Sequence, residues 1–421
     1  MKKTAIIGAG IAGLGCAYFL HPRHDVTIYE QNDYAGGHTN TVTVAEEGRE
    51  VPIDTGFMVY NEVTYPNLTR LFRELNVAGK PTSMSFSMQH EATGLEYCGS
   101  SLIHLFAQRK NLFSPRFWKM ILQINRFNQD AVEALQSGTD AEVSLRDYVR
   151  QKNYGEDFLN LYLVPMSAAV WSTPPEQMLE FPAFTLLRFF RNHGFLGLHT
   201  QHPWLTVVGG AKTYVARITA PMRDLVKLNR GVAAVQREAG GVNITDQRGQ
   251  SEFFDQAILA CHADQSLKML ADADTEEQTL LGEFKYQSND AFLHTDDSVM
   301  PRNRRCWSSW NYRVGASADG RSSPSTIYWM NRLQGVSDRQ NYFVSINGES
   351  LIKPASVLKR LRYEHPLFSL GAVRAQTKLP GLNARRTNIY FCGSYFRYGF
   401  HEDAFASALD LCRLLEGNVW N

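Results

Sequence analysis

The sequence predicts an α/β fold, α+β over the whole chain: a Rossmann-like domain joined to a second domain of mixed or antiparallel sheet and helices. Three observations predict it. Residues 4–30 read as strand, glycine turn, helix and strand. Residues 283–350 hold short apolar runs separated by polar turns, the pattern of neighbouring antiparallel strands. Residues 388–410 pass from a strand through glycine turns into a helix. With 421 residues, one large composite domain or two domains are expected.

The first element fixes the rest. An apolar run at 4–7 leads into Gly8-Ala9-Gly10-Ile11-Ala12-Gly13, then a helical pattern (Ile11, Leu14, Ala17, Tyr18), then a second run at 26–29 ending in Glu30. A G-x-G-x-x-G after a strand and opening a helix, with an acid closing the next strand, is a dinucleotide fingerprint in its structural setting. Gly8 permits the tight turn. Gly10, with Ile11 and Ala12 behind it, brings backbone to a pyrophosphate at the helix start, and Gly13 lets helix and strand pack closely. Glu30 can accept hydrogen bonds from a ribose diol. Met1-Lys2-Lys3 before an apolar run imitates a secretory leader, and Leu14-Gly15-Cys16 imitates a lipidation site. Cleavage there would destroy the strand–helix–strand unit, so the expectation is a retained amino end and a cytoplasmic protein.

Composition narrows the function classes. Hydrophobic content of 44% and charged content of 20% suit a globular chain with a large core. A net charge of +1 gives no global attraction to nucleic acid, and none is expected as a partner. Six scattered cysteines (16, 98, 261, 306, 392, 412) form no C-x-x-C and no Cys/His pairing at metal spacing. Neither a metal site nor a disulfide framework is expected, which suits a reducing compartment. No run of about eighteen apolar residues exists to span a bilayer.

After Glu30 the loop 31–41 carries Gly36-Gly37, then His38 and Thr39; its backbone N–H groups can take a second share of a diphosphate. Residues 51–60 read as a strand ending in a sharp turn at Asp54-Thr55-Gly56-Phe57. In this order, residues 8–13, Glu30, Gly36-Gly37 and Asp54-Thr55-Gly56 resemble the amino-terminal FAD-binding half of the flavin-containing amine oxidase and phytoene desaturase superfamily. The wording GGHTNT followed by DTGFMVYNEVTYPN is similar to a narrower group, the bacterial FAD proteins related to the flavoprotein segment of plant cyclopropane fatty acid synthases. The resemblance runs the length of the chain. It implies FAD rather than NAD as cofactor. It also implies a cofactor domain of residues 1–60, 204–265 and 385–421, interrupted by substrate-domain insertions at 61–203 and 266–384. The chain departs from the superfamily twice: His38-Thr39 stand where an Arg or Lys normally faces the cofactor, and Ser394 stands where an acid normally follows the glycine at 393.

The remaining elements follow in order. Residues 62–80 read as an amphipathic helix with Leu68, Leu71, Phe72 and Leu75 on one face. Residues 83–97 read as strand, turn at Thr93-Gly94, and strand. Between 101 and 127, aromatics alternate with Arg109, Lys110, Arg116, Lys119 and Arg126, and no acid appears until Asp130. Such a stretch is either a packed domain helix with solvated cations or a helix lying in a membrane interface. Residues 131–160 look helical with breaks at Gly138 and Gly155; 164–171 is an apolar run stopped by Pro174-Pro175; 181–195 is an aromatic-rich helix that either lines an apolar substrate tunnel or is plain core.

The chain then returns toward the cofactor. Gly209-Gly210 follow a strand in 204–212 and precede a helix at 213–222. Residues 226–235 read as a strand, in which Val232 matches the superfamily position that contacts adenine through its backbone. Residues 240–245 and 250–254 read as a hairpin, and 255–260 as a strand of the main sheet. Strands at 292–294, 306–312, 325–330 and 342–346, with a polar turn at 317–324, form the floor of the second domain. At the carboxyl end the strand 388–391 leads to Gly393-Ser394, and Gly399 leads to Phe400-His401-Glu402 at the start of the last helix. The superfamily implies that this segment crosses the ribityl chain and flavin pyrimidine, where helix N–H groups stabilise negative charge on reduced flavin.

No carboxylate pair, Ser/His/Asp order or catalytic cysteine signature is visible, so the flavin carries the chemistry. Dehydrogenation to C=C also needs a base for the second proton. His401 is the first candidate, its other reading being a packing or capping residue; His193, His199 and His202 are weaker candidates in a solvated loop. Tyr60 and Trp171 either wall the substrate space or pack in the core. The expected activity is an FAD-dependent oxidoreductase moving hydride from an apolar substrate to flavin N5, most plausibly an unsaturated or methyl-branched fatty acyl chain of a phospholipid. Two alternatives stand beside it: an amine oxidase acting on a soluble amine, and a non-catalytic flavin- or lipid-binding partner of a lipid-modifying methyltransferase. Peripheral contact with the inner membrane face, through the stretch 101–127, is part of the first reading.

Overall fold

Strands that are apolar on both faces need helices on both faces, and the amino-terminal segment is built that way. In the computed structural model, which describes residues 1–138, 142–197, 200–316 and 322–420, the strand Lys2–Ile7 pairs in parallel with His24–Tyr29 on one side and Gln256–Leu259 on the other. Ile389–Phe391 and Val226–Lys227 complete a five-stranded parallel sheet. Alternate residues serve opposite faces. Ile6, Ile28 and Ile258 pack under the helices Ile11–Leu20 and His401–Glu416, with Phe19, Phe405 and Trp420 in contact. Ala5, Ile7, Leu259 and Phe391 pack under Phe254, Phe284, Leu379 and Tyr395.

One expected strand splits. Residues 226–235 are two strands in different sheets, because Asn229 adopts φ 53° and turns the chain away. Asn is among the few residues that tolerate that conformation. Val232–Glu238 then forms a three-stranded antiparallel sheet with Gly241–Asp246 and Ser251–Phe254, and a register shift between Val232 and Ala234 leaves Ala233 as a bulge. The strand Trp204–Val207 likewise joins no large sheet; it pairs with Gly79–Thr82.

The second large sheet has seven strands in the order Val357–Leu367, Lys285–His294, Phe343–Ile346, Ser322–Trp329, Trp310–Ala316, Phe86–His90 and Leu95–Cys98. It is mixed: Trp310–Ala316 runs parallel to Phe86–His90, while the other neighbours are antiparallel. Its edge strand, Val357–Leu367, is absent from the sequence reading, since three cations (Lys359, Arg360 and Arg362) mask its alternation. Residues 306–309, expected as strand, are instead the end of a short 3-10 turn and an extended link. Of the expected turn at 317–324, residues 317–321 lie outside the described residues.

A helical layer flanks this sheet. Pro115–Ser137 starts on a Ser114 cap and ends at Gly138 (φ 67°), a left-handed stop that glycine adopts without strain. With Val164–Trp171 and Ala183–Asn192 it encloses Phe127, Tyr148, Phe158, Phe181 and Phe190. Asp54 ties the layers together. Its carboxylate accepts from the Ala211 N–H (2.9 Å), from Thr41 and from Gln334, and burial pushes its pKa up to about 6.

Candidate active site

A cavity of about 1050 Å³ opens between the two large sheets, at the upper end of the roughly 300–1,000 Å³ common for ligand sites. One end is the fingerprint turn. Gly8 (φ 104°) leaves the strand, and a Cβ on it would lie 2.8 Å from the Ala260 carbonyl oxygen. A Cβ on Gly13 would lie 1.9 Å from the Gly8 oxygen, so helix and turn meet only through glycine. Gly10 differs: a Cβ there meets nothing within 4 Å. The helix that Gly10 opens has no side-chain cap, so its first-turn N–H groups are open to a ligand. Such a start favours anions, and a diphosphate fits it.

Neighbouring loops hold this turn in place. The Gly36 N–H donates to the Ala9 oxygen (2.8 Å), and the Phe57 N–H donates to the His38 oxygen (2.9 Å). The double-glycine loop therefore lies against the fingerprint, and residues 56–57 lie against the double-glycine loop. The Glu30 carboxylate accepts from the Ala9 N–H and from Asn32, with lone pairs left over for a diol. Gly8, Gly10, Ile11, Ala12, Glu30, Gly36, Gly37 and Val232 all line this end.

The other end belongs to the carboxyl-terminal segment. Gly393, Ser394, Phe400 and His401 line the cavity with Gly56 and Phe57. The Gly393 N–H donates to the Ser407 hydroxyl (2.8 Å), and the Phe400 N–H donates to Asp403 (2.9 Å), which closes the first turn of the last helix. His401 stacks on Phe57, and its Nε2 lies 2.8 Å from the Thr39 hydroxyl and 3.2 Å from the Tyr214 hydroxyl. Burial, then the nearby His38, pushes its pKa down to about 3, so the ring is neutral.

Several predicted residues do not reach the cavity. Glu402 points away from it: its carboxylate accepts from the Asn67 side chain and from the Asn67 and Leu68 N–H groups, capping the neighbouring helix Pro66–Glu74. Thr39 binds His401 and Tyr214, and Thr55 binds Tyr363 (2.7 Å). With Asp54 and Gly13 these support the lining from behind. Tyr60 is core, set edge-on to Phe72 at 5.0 Å. Trp171 does line the cavity, its indole N–H donating to the Tyr398 oxygen (3.1 Å). His193 is buried rather than solvated, stacked on Phe189 at 3.9 Å with its pKa lowered by burial to about 4. His202 binds the Asn192 oxygen (2.9 Å), and His199 lies outside the described residues.

The structure adds residues the sequence reading missed. His262 and His365 converge on His38, with ring centroids 6.2 and 5.5 Å from it, and Tyr363 lies 5.2 Å away. Burial lowers His38 to about 4 and His365 to about 3, helped by the neighbouring imidazoles. No group of His, Cys, Asp or Glu among the described residues has the arrangement of a metal site. The largest omission is the apolar wall. Met58, Met84, Val170, Phe189, Phe195, Trp204, Trp310 and Tyr328 line the cavity with Trp171. They come from seven stretches of chain, and no local motif marks them. Of the aromatic helix 181–195, Phe189 and Phe195 face this space while Phe181 and Phe190 are core.

Residues 11–341 match the flavin-containing amine oxidoreductase family. The chain belongs to that family. It is an FAD-dependent oxidoreductase, and the open helix start at Gly10 and the glycine contacts around it fit that cofactor. Among curated proteins it is 37% identical over 87 residues to the 15-cis-phytoene desaturase of Synechococcus elongatus, 20% of this chain and 18% of that one. It is 49% identical over 43 residues to a 1-hydroxycarotenoid 3,4-desaturase of a Flavobacterium, 10% of this chain and 9% of that one. The matches thus span under a fifth of those relatives' length. Among solved structures, the conjugated-linoleic-acid-producing fatty acid isomerase of P. acnes superposes with a TM-score of 0.69 at 15% identity, covering 97% of both chains. Cyclohexylamine oxidase of Brevibacterium oxydans gives 0.68 at 16% identity, covering 99% of both. These two likenesses establish a shared fold. Among the described residues no helix is long and apolar enough to cross a membrane.

Proposed function

We propose that this oxidoreductase acts on a long apolar substrate, an unsaturated or methyl-branched fatty acyl chain. The observation that carries the reading is the apolar wall, which meets Phe400 through Trp171 and Phe189: three tryptophans, two phenylalanines, two methionines and a tyrosine. The carboxylates lining the cavity, Glu30 and Glu364, stand with the dinucleotide loops and the histidine cluster, not in this wall. Burying a hydrocarbon chain there gains roughly 0.8 kcal/mol per methylene. The isomerase of P. acnes, with the same fold, is described as acting on a fatty acid.

The residues around Gly10, Glu30, Gly36-Gly37 and Val232 would hold the dinucleotide, and those around Gly393, Phe400 and His401 its redox ring. When bound there, FAD would supply the acceptor for a hydride from a substrate C–H, and forming C=C would also require loss of the adjacent proton. His401 is neutral and its Nδ1 has no partner among the described residues. Its pKa of about 3 makes it a weak base, so its main work is positioning: it fixes Phe57 and the loop at Thr39. The aromatic wall excludes water from the reacting carbon.

A second reading keeps support from Trp310 and Tyr328, whose rings meet at 86° with centroids 5.2 Å apart. Such faces can also receive a cationic amine. Anaerobic titration of purified holoprotein separates the two. Loss of the yellow oxidised absorbance with phospholipids or free unsaturated fatty acids, and not with amines, is the expected result. Bleaching by polyamines or alkylamines alone would overturn the acyl-chain reading.

A further inference from the structure

Among the described residues, exposed large apolar side chains are concentrated in one stretch of chain. Leu102, Ile103, Leu112, Phe113, Trp118 and Leu122 are exposed within 21 residues of each other in sequence, Phe113 at 87% and Leu102 at 74%. They form one surface. The Trp118 indole N–H donates to the Leu112 oxygen (2.9 Å), and its ring sits 5.1 Å from that of Phe106. This ties the short helix Leu102–Leu105, the 3-10 turn Arg109–Phe113 and the start of the helix Pro115–Ser137 together. That helix is amphipathic in the ordinary sense: Phe117, Met120 and Phe127 face the core. Trp118 and Leu122, one turn apart, face outward. Packing of this domain does not explain them.

The charges carried by this stretch itself have one sign. Arg109, Lys110 and Lys119 are exposed beside it, and no acid occurs between residues 101 and 129. Across the surface stand Asp157, held by Arg116, and the exposed Glu156 beside it. Monomeric proteins seldom present apolar side chains in such a cluster without a partner. A protein partner would be met by any mixture of charges; an apolar stretch whose own charges are all basic, with an exposed tryptophan, matches the negative surface and interfacial zone of a bilayer.

We propose that residues 102–122 are a docking surface for an anionic phospholipid membrane, with Phe113, Trp118 and Leu122 entering the interface and Arg109, Lys110 and Lys119 facing lipid phosphates. This does not rest on the acyl-chain reading: an enzyme that oxidises a soluble amine and still binds vesicles leaves it standing.

The test is flotation of full-length holoprotein with vesicles of phosphatidylcholine, with and without phosphatidylglycerol. Binding is expected only with phosphatidylglycerol and should weaken as salt rises. A Phe113→Asp/Leu122→Asp variant should lose at least tenfold in partitioning, and Lys110→Glu/Lys119→Glu about fivefold or more per charge removed. Both should keep native circular dichroism and flavin content, since the altered side chains are exposed. Equal flotation of wild type and variants would overturn the proposal, as would equal binding to phosphatidylcholine alone. A concentration-dependent dimer abolished by Phe113→Asp, with no flotation, would also overturn it and assign the surface to a second copy of the chain.

Discussion

The imidazole of His401 lies flat on the ring of Phe57, centroids 4.0 Å apart and planes 15° from parallel. With its Nε2 on Thr39, His401 clamps the double-glycine loop and the 56–57 turn onto the first turn of the last helix. His401→Ala should therefore release FAD more readily, and lower stability by roughly 2 kcal/mol from a lost hydrogen bond and ring contact. Flavin fluorescence during dilution and thermal denaturation check this. An unchanged flavin affinity with abolished turnover would instead mark His401 as the proton acceptor.

The fingerprint glycines should separate binding from folding. Gly13→Ala drives a methyl into the Gly8 carbonyl and should leave little folded protein. Gly10→Ala meets open space and should fold with a melting temperature close to that of the wild-type apoprotein. Its methyl enters the place of the diphosphate, so flavin content after purification should fall at least tenfold.

Glu402 predicts the opposite split. Removing its cap from the helix Pro66–Glu74 with Glu402→Ala should cost about 1–3 kcal/mol, since the buried Leu68 N–H and the part-buried Asn67 N–H lose their acceptor. Urea unfolding measures it. Flavin affinity of the folded variant should stay within a few-fold of wild type.

Buried histidines set the acid limit. His38, His365 and His401 have folded pKa values of about 4, 3 and 3, below the roughly 6.5 of an unfolded chain. The stability tied to each is fully present above pH 6.5 and is lost as pH falls toward 4 and then 3. Asp403 works in reverse, pushed up by burial to about 7. Its contribution is largest below the ordinary Asp range near 4 and is lost as pH rises through 7. Apoprotein stability should drop between pH 6.5 and 4, less so in His365→Gln. Asp403→Asn should gain on the order of 2 kcal/mol at pH 8 and little at pH 4. Urea midpoints across pH test both.

The sequence made the cofactor end legible because its chemistry is local. Gly8, Gly10, Gly13 and Glu30 sit at fixed spacing in one strand–helix–strand unit, and the structure builds that unit. Gly393 and Phe400 also line the cavity, but their expected place rests on the family resemblance of the carboxyl-terminal segment rather than on spacing. Glu402 was not legible: its neighbour His401 faces the cavity, and one step along a helix turns a side chain about 100° toward the helix Pro66–Glu74. The apolar wall is hidden for a different reason. Met84, Trp204, Trp310 and Tyr328 meet only after three separate strands assemble, and each looks like ordinary core in its own segment. The edge strand Val357–Leu367, which supplies Tyr363 and His365, is solvated along much of its length, so it lacks the apolar run that marks a buried strand.

In the parallel sheet the strand Gln256–Leu259 lies between Lys2–Ile7 and Ile389–Phe391, strands from opposite ends of the sequence. A ribosome therefore releases the fingerprint hundreds of residues before the strand that completes its sheet. During that interval nothing shields the open helix start at Gly10. A site lined by both ends of the chain is whole only once the carboxyl-terminal strand and helix have joined it.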